Sequence, residues 1–336
     1  MGSAPSEPSS WPSVTVVLPT LGERADLLEL ALQGIRSQDY PGNIDCLVVL
    51  DVRSPDAGPV NGSDTVRAAP ESASADSWAS TRRVAAAAGA RVLENERTPG
   101  LAGSRNTGIV AADGELVAFC DDDDRWLPGK LRAQVSALTA APEAALACCG
   151  IVLEYGETVL TRVHPATTVT FREFLRHRLP AVHVSTFVAR RSALMNGIGL
   201  VSEEIPGSRA EDYEFLLRIS RHGPVLNIPE PRVRVIWHTQ RKTMYGKWPV
   251  VVQALPWLLE RYPEFESVPA GYARVAGQVA FAAAASGDRG KAWKWARRAI
   301  RANPREARPY IAFAVACGLV KPDAVIRALH RRGRGL

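Results

Sequence analysis

The chain has 336 residues, 46% of them apolar and 23% charged, with a mean hydropathy of −0.07, values of an ordered globular protein with room for one large domain plus an appendage or for two modest domains. The net charge is +6, yet residues 281–336 hold 13 Lys and Arg against 3 Asp and Glu, leaving −4 for residues 1–280. The basicity therefore belongs to the C-terminal segment and not to the main body.

The opening stretch MGSAPSEPSSWPS lacks the basic start and apolar middle of a secretory signal, and residues 1–12 read as a loose tail. The strand-like run Ser13–Thr20 is followed by helical spacing from Ala25 to Gln38 and by a second apolar strand, Ile44–Asp51. Strand, helix and strand in so short a stretch make a βαβ unit, and the continuous apolar strands suit a parallel sheet covered on both faces. Residues 52–77 are a Pro-, Gly-, Ser- and Ala-rich stretch without periodicity, longer than most loops of compact domains. A helix (Ser77–Gly89), a short strand (ARVLEN) and a helix near Gly103–Ala112 lead to the apolar run Gly114–Cys120. Further on come a helix over Lys130–Ala140, a strand over Ala144–Tyr155, a strand in VHVSTFVARR and a helix over Ala210–Gly223, stopped by Gly223 and Pro224. From about Val250 the composition turns helical. Two Ala-rich helices joined at Gly287–Asp288 read as one tetratricopeptide-like hairpin plus part of another, too few repeats for a solenoid.

Two further readings concern compartment. The most apolar late segment, Ile311 to Val320, has ten residues, whereas a spanning helix needs roughly 18 to 20. The five cysteines (Cys46, Cys120, Cys148, Cys149, Cys317) are odd in number and have no CxxC spacing, so they read as small buried residues in a reducing compartment, the cytoplasm.

The chemistry concentrates in CDDDDRW, residues 120–126. Asp121, Asp122, Asp123 and Asp124 follow a buried strand, at the C-terminal strand end where open α/β sheets bind ligands. Four adjacent anions repel unless a positive charge sits among them, and a hard divalent ion such as Mg²⁺ or Mn²⁺ is the simplest candidate. A solvated acidic turn or a helix cap is the plainer alternative.

The context narrows the choice. The stretch from Glu94 to Leu131, with VTVVLPTLGERADLLELALQGIRSQDYP (Val14–Pro41) and VVLDVRSPD (Val48–Asp56), resembles the ordered motifs of family-2 glycosyltransferases over about residues 13 to 240. The resemblance implies a GT-A fold, an α/β Rossmann-like architecture with a mostly parallel central sheet, over residues 13–245. Residues 13–130 would be its nucleotide-sugar half and 131–245 its acceptor half, with a basic helical appendage over 246–336. It also implies an inverting transfer of a sugar from a nucleotide diphosphate sugar, UDP favoured, to a hydroxyl acceptor, with Mn²⁺ or Mg²⁺ as cofactor.

Carried over by position, Pro19, Thr20 and Glu23 match the nucleoside-contacting end of the first strand, and Asp51 matches the base-binding Asp. Val52 and Arg53 stand where the family usually completes DDGS. Arg105 and Asn106 in GSRNTG match the motif that lies along the nucleotide. Asp121 looks like the ribose-contacting acid and Asp123 like the metal ligand, with Asp122 and Asp124 supporting them. Glu211 and Asp212 match the acidic pair on the acceptor side, with Asp212 as the general base; both acids would also suit a helix N-terminus without any chemistry. His238 matches a histidine that reaches back to the metal or pyrophosphate, though a lone His after Trp can equally be a packing residue. His164, His177, His183, His222 and His330 match nothing in the family and read as structural or surface residues.

The basic C-terminus admits a peripheral contact with an anionic membrane at the inner face, a solvated or homodimer surface, or, with no recognised module to support it, nucleic acid; the sequence expectation is no nucleic acid. The competing enzyme class, a nucleotidyltransferase, would want a Gly-rich phosphate loop after the first strand, where LPTLGERAD supplies a single Gly. A silent sugar-nucleotide-binding or scaffold protein is the other alternative.

Overall fold

The structure is a computed structural model that describes residues 10–51, 75–237 and 248–330. In chain order the elements are β1 (Val14–Thr20), α1 (Ala25–Arg36), β2 (Ile44–Leu50), α2 (Ala75–Ala87), β3 (Arg91–Glu94), α3 (Leu101–Ala111), β4 (Leu116–Phe119), β5 (Arg125–Trp126) and α4 (Lys130–Ala140). They continue with β6 (Leu146–Tyr155), β7 (Thr158–Arg162), β8 (Thr168–Val169), α5 (Phe171–Arg176), β9 (Val188–Arg190), α6 (Arg191–Ala193), α7 (Glu211–His222) and β10 (Val225–Trp237). Five helices follow: α8 (Trp248–Arg261), α9 (Pro269–Ala285), α10 (Arg289–Ala302), α11 (Arg308–Ala316) and α12 (Pro322–His330). Contacts divide the chain into two units; the second holds residues 240–336 together with 172–178 and 204–210.

The first unit is built on one sheet of order β3-β2-β1-β4-β9-β6-β10-β5, with β7 added to β6 and β8 to β10. The β3-β2-β1-β4 half is parallel throughout, and so is the long β6–β10 ladder, whereas β9 runs antiparallel between β4 and β6. All seven residues of β1 are buried, as a strand covered on both faces requires. On one face α1 contributes Leu28, Ala31, Leu32 and Ile35 at i, i+3, i+4 and i+7, the spacing that turns one helical stripe to a sheet. Burying each large aliphatic side chain there is worth roughly 1.5–3 kcal/mol.

On the other face α3 lies unusually close to the chain around it. A Cβ on Gly103 would fall 1.9 Å from the Thr98 carbonyl oxygen, and one on Gly108 would fall 2.3 Å from Val17 Cγ1. Gly108 brings the helix down to β1, and Gly103 lets it close on the segment that leads into it. Because β1, β2 and β4 are parallel neighbours, Thr20, Asp51 and Asp121 emerge at the same sheet edge.

The strand expected in VHVSTFVARR is shorter than its apolar content suggests. Val184–Thr186 form a 3₁₀ turn and only Val188–Arg190 are extended. Local hydrogen bonds account for this: the Thr186 hydroxyl donates to the His183 carbonyl at 2.6 Å, and Ser185 is committed to the aspartate run.

In the second unit α9 is the central helix, with 12 of its 17 residues buried against α8, α10 and α11. The expected turn at Gly287–Asp288 is present: Gly287 has φ 82°, and the Asp288 side chain caps α10 by accepting from the Lys291 N–H at 2.9 Å. Cys46, Cys120, Cys148 and Cys149 are buried, while Cys317, just past α11, is exposed. Among the described residues no helix is long and apolar enough to cross a membrane. Residues 1–9, most of the 52–77 stretch (52–74) and His238 lie outside the described residues.

Candidate active site

The aspartate run leaves β4 at the parallel edge, and the protein itself supplies positive charge to it. Arg105, from α3, is 2% exposed; it donates from Nη2 to Asp121 Oδ1 at 3.0 Å and from Nη1 to Glu211 Oε1 at 2.7 Å. Burial works against the charged guanidinium, but Asp121 and Glu211 outweigh it and hold Arg105 protonated. Its buried Nε has no hydrogen-bond partner among the described residues. Arg24, between β1 and α1, ion-pairs with both Asp122 and Asp123.

The remaining contacts fix the run in place. Asp122 also accepts from the Thr20 hydroxyl at 2.6 Å, and burial pushes its carboxyl up to about 6 against the pull of Arg24. The Ser185 hydroxyl donates to Asp124 at 2.5 Å and accepts from the Asp121 N–H at 3.0 Å. His183 Nδ1 lies 3.3 Å from Asp124 Oδ2. Burial holds the imidazole below its ordinary range, although Asp121 and Asp212 pull the other way. Burial, followed by repulsion from Asp121 and Asp123, pushes the Asp124 carboxyl well up.

The remaining sequence-predicted residues are distributed around this centre. Pro19 sits inside β1 opposite Val49 and is buried; Glu23 is exposed just before Arg24. Asp51 accepts from the Gly100 N–H at 2.8 Å and from Asn95 Nδ2 at 2.9 Å, so it steadies the entry to α3. Asn106 is turned to the 201–203 segment, donating to Val201 O at 2.8 Å and to Glu203 Oε1 at 2.6 Å. Glu211 and Asp212 open α7; Glu211 is buried on Arg105, while Asp212 is half-buried and acts electrostatically on Arg105 and His183. The acidic pair and the aspartate run are thus brought to one place.

His183 and Arg24 were not assigned from sequence. Their signals were weak: one lies in a stretch that reads as a strand, the other is about a hundred residues from its partners. A divalent cation fits these donors, since ligand atoms of Asp121, Asp124 and His183 all lie within 4.8 Å of one another, a hard-oxygen and imidazole set. Asp123, the ligand expected from sequence, is adjacent and held by Arg24.

A parallel α/β half whose strand ends present carboxylates and a buried arginine fits an α/β fold of the GT-A class. Solved structures agree on the fold: TarS of S. aureus in complex with UDP-GlcNAc matches at TM-score 0.57 and 15% identity over 96% of this chain and 92% of that one. The mannosyltransferase PcManGT from Pyrobaculum calidifontis, in complex with GDP-Man and Mn²⁺, matches at TM-score 0.54 and 20% identity over 95% and 84%. Residues 75–197 match Glycosyl transferase family 2. An uncharacterized glycosyltransferase of Haemophilus influenzae is 26% identical over 177 residues, 51% of this chain and 58% of that protein. The amylovoran biosynthesis glycosyltransferase AmsE of Erwinia amylovora is 28% identical over 147 residues, 43% and 53%. The chain thus spans little more than half the length of these curated relatives. The family match and these relatives support a family-2 glycosyltransferase, and the solved structures agree on the fold.

Proposed function

We propose that the protein is a metal-dependent, inverting glycosyltransferase that moves a hexose-type sugar from a nucleotide diphosphate sugar, UDP favoured, to a hydroxyl acceptor. The observation that carries this reading is Arg105 joining Asp121 to Glu211: it puts the donor-side carboxylates and the acceptor-side acidic pair at one sheet edge. On this reading Asp51, Thr20, Pro19 and Glu23 frame the nucleoside and Asp121 and Asp122 shape the ribose side. Asp123 would hold Mn²⁺ or Mg²⁺ with His238 as a further ligand; Asp121, Asp124 and His183, whose ligand atoms lie within 4.8 Å of one another, form a second set that suits such an ion. The metal would supply charge stabilisation for the departing diphosphate.

The residues have complementary tasks. Arg105 holds the Asp121 carboxylate in place, so that the donor side is preorganised. Asp212, at the start of α7, takes the proton of the acceptor hydroxyl as that oxygen attacks the anomeric carbon from the face opposite the leaving group. The carbon–oxygen bond forms while the bond to the diphosphate breaks, and one displacement inverts the anomeric centre. Residues 13–245 form the catalytic domain and 246–336 an appendage on this reading. The basic α10, with exposed Arg289, Lys291, Lys294, Arg297, Arg298 and Arg301 and no acid, would rest on an anionic membrane beside a lipid-linked or glycan acceptor. Bacterial surface-polysaccharide or secondary-metabolite assembly is the setting proposed.

Calorimetry with UDP, GDP and their sugars, with Mn²⁺ and then with chelator, tests the donor site. Asp123→Ala should abolish metal-dependent binding, while Asp212→Asn should keep binding and lose transfer. Binding with no turnover for any donor and acceptor offered would favour a silent binding protein instead.

A further inference from the structure

Arg24 occupies an unusual position. It stands between a strand end and a helix start, and its guanidinium reaches two consecutive carboxylates, Nη2 to Asp122 Oδ1 and Nη1 to Asp123 Oδ2. Asp122 has a second donor in the Thr20 hydroxyl, which would hold it if the arginine left. Asp121 and Asp124 have their own partners in Arg105, Ser185 and His183. Arg24 therefore sets a positive charge on the Asp123 carboxylate, where it competes with a divalent ion brought to the same group. The arginine side chain is 22% exposed, so it has a way out toward solvent, unlike Arg105 at 2%.

We propose that Arg24 is a positioning residue that competes with the divalent ion for Asp123 and, once displaced, pairs with the nucleotide diphosphate, so that metal and nucleotide bind cooperatively. The proposal rests on the reading of Asp123 as a metal ligand. Its physical basis is electrostatic: the Arg24 guanidinium repels a divalent ion brought to the same carboxylate, and a diphosphate gives the guanidinium a bidentate anion in exchange. Metal alone meets the Arg24 charge without compensation. Metal with diphosphate does not, and the difference appears as coupling between the two ligands.

The test measures free Mn²⁺ by electron paramagnetic resonance during titration of the native chain, Arg24→Gln, Arg24→Lys and Asp123→Ala, each without nucleotide and with saturating UDP or GDP. Thermal unfolding confirms that each variant is folded. Arg24→Gln should bind Mn²⁺ alone more tightly than the native chain by about fivefold or more, and the tightening caused by nucleotide should shrink by a similar factor, within the usual range of coupling between sites. Arg24→Lys, which keeps the charge without the two-pronged reach, should fall between them. Unchanged or weaker Mn²⁺ binding by Arg24→Gln, with Asp123→Ala losing it, would overturn the role of Arg24 and leave the metal site standing. Absence of Mn²⁺ binding in every form, with and without nucleotide, would overturn both.

Discussion

Arg105 holds two carboxylates from distant parts of the chain on one guanidinium, with almost no solvent to share the load. Removing one member of a buried pair strands the other, which typically costs 3–5 kcal/mol. Arg105→Met should therefore destabilise by about that much in urea unfolding. The double variant Arg105→Met with Glu211→Leu should recover the part of the loss that comes from stranding Glu211, Asp121 still lacking its arginine, and equal destabilisation by both would show that the Glu211 pair is not a cause. Lys130 poses the opposite problem. It is fully buried, its Nζ has no hydrogen-bond partner among the described residues, and it sits 3.9 Å from the centre of the Trp126 ring. Burial lowers its pKa to about 8, so the folded state prefers the neutral amine. Stability from this group is complete above the unfolded value near 10.5 and is lost as pH falls through 8. The stability of the native chain relative to Lys130→Met should rise by roughly 3 kcal/mol between pH 7 and pH 10.5, and a flat difference would refute the burial argument. Sequence alone showed that the aspartates needed positive charge. It could not show that arginines supply part of it, because ion pairs such as Arg24 with Asp122 and Asp123 span about a hundred residues and exist only after the sheet has formed.

The parallel elements were the most legible, since a buried strand must be apolar throughout and α1 must carry a 3.6-residue stripe. Val14–Thr20, Ile44–Leu50 and the helix from Ala25 follow from those patterns. The segment around His183 was not legible: its apolar residues read as a strand, but the Thr186 hydroxyl closes a turn on the His183 carbonyl and the Ser185 hydroxyl bonds Asp124, which together deliver His183 to Asp124. Helix α3 is a middle case. Its two glycines weaken it as a helix by roughly 1 kcal/mol each relative to alanine, yet both permit the close approach that places Arg105. Gly103→Ala should thus reverse the usual propensity gain, lowering stability by about 1–3 kcal/mol as the helix is pushed from Thr98. Nucleotide affinity measured by calorimetry should fall with it. A stabilised variant with native affinity would contradict the close-packing account.

For the chain as a whole, charge is divided as the sequence implied, with the surplus of cations in the last helices. Trp293 is 41% exposed beside the basic residues of α10 and stacks against Phe313 with ring centres 4.5 Å apart. Co-sedimentation with vesicles should show binding when phosphatidylglycerol is present and little when only phosphatidylcholine is. It should weaken with salt, and weaken further in Lys294→Glu with Arg298→Glu. Equal binding to both vesicle types, or to neither, would count against a membrane role for this face.

Four of the five thiols lie in the interior, where burial pushes Cys46 to about 12, Cys149 to about 11 and Cys120 and Cys148 well above the ordinary range. Cys317 alone is open to solvent. The native chain should accordingly take up a maleimide dye at a single position on the helical unit, with no cysteine to be engineered in or out. Mass spectrometry of the labelled protein would count one adduct before denaturation and five after it. A dye at that point, just past α11, would report in fluorescence whether the neighbouring basic helix meets a lipid surface.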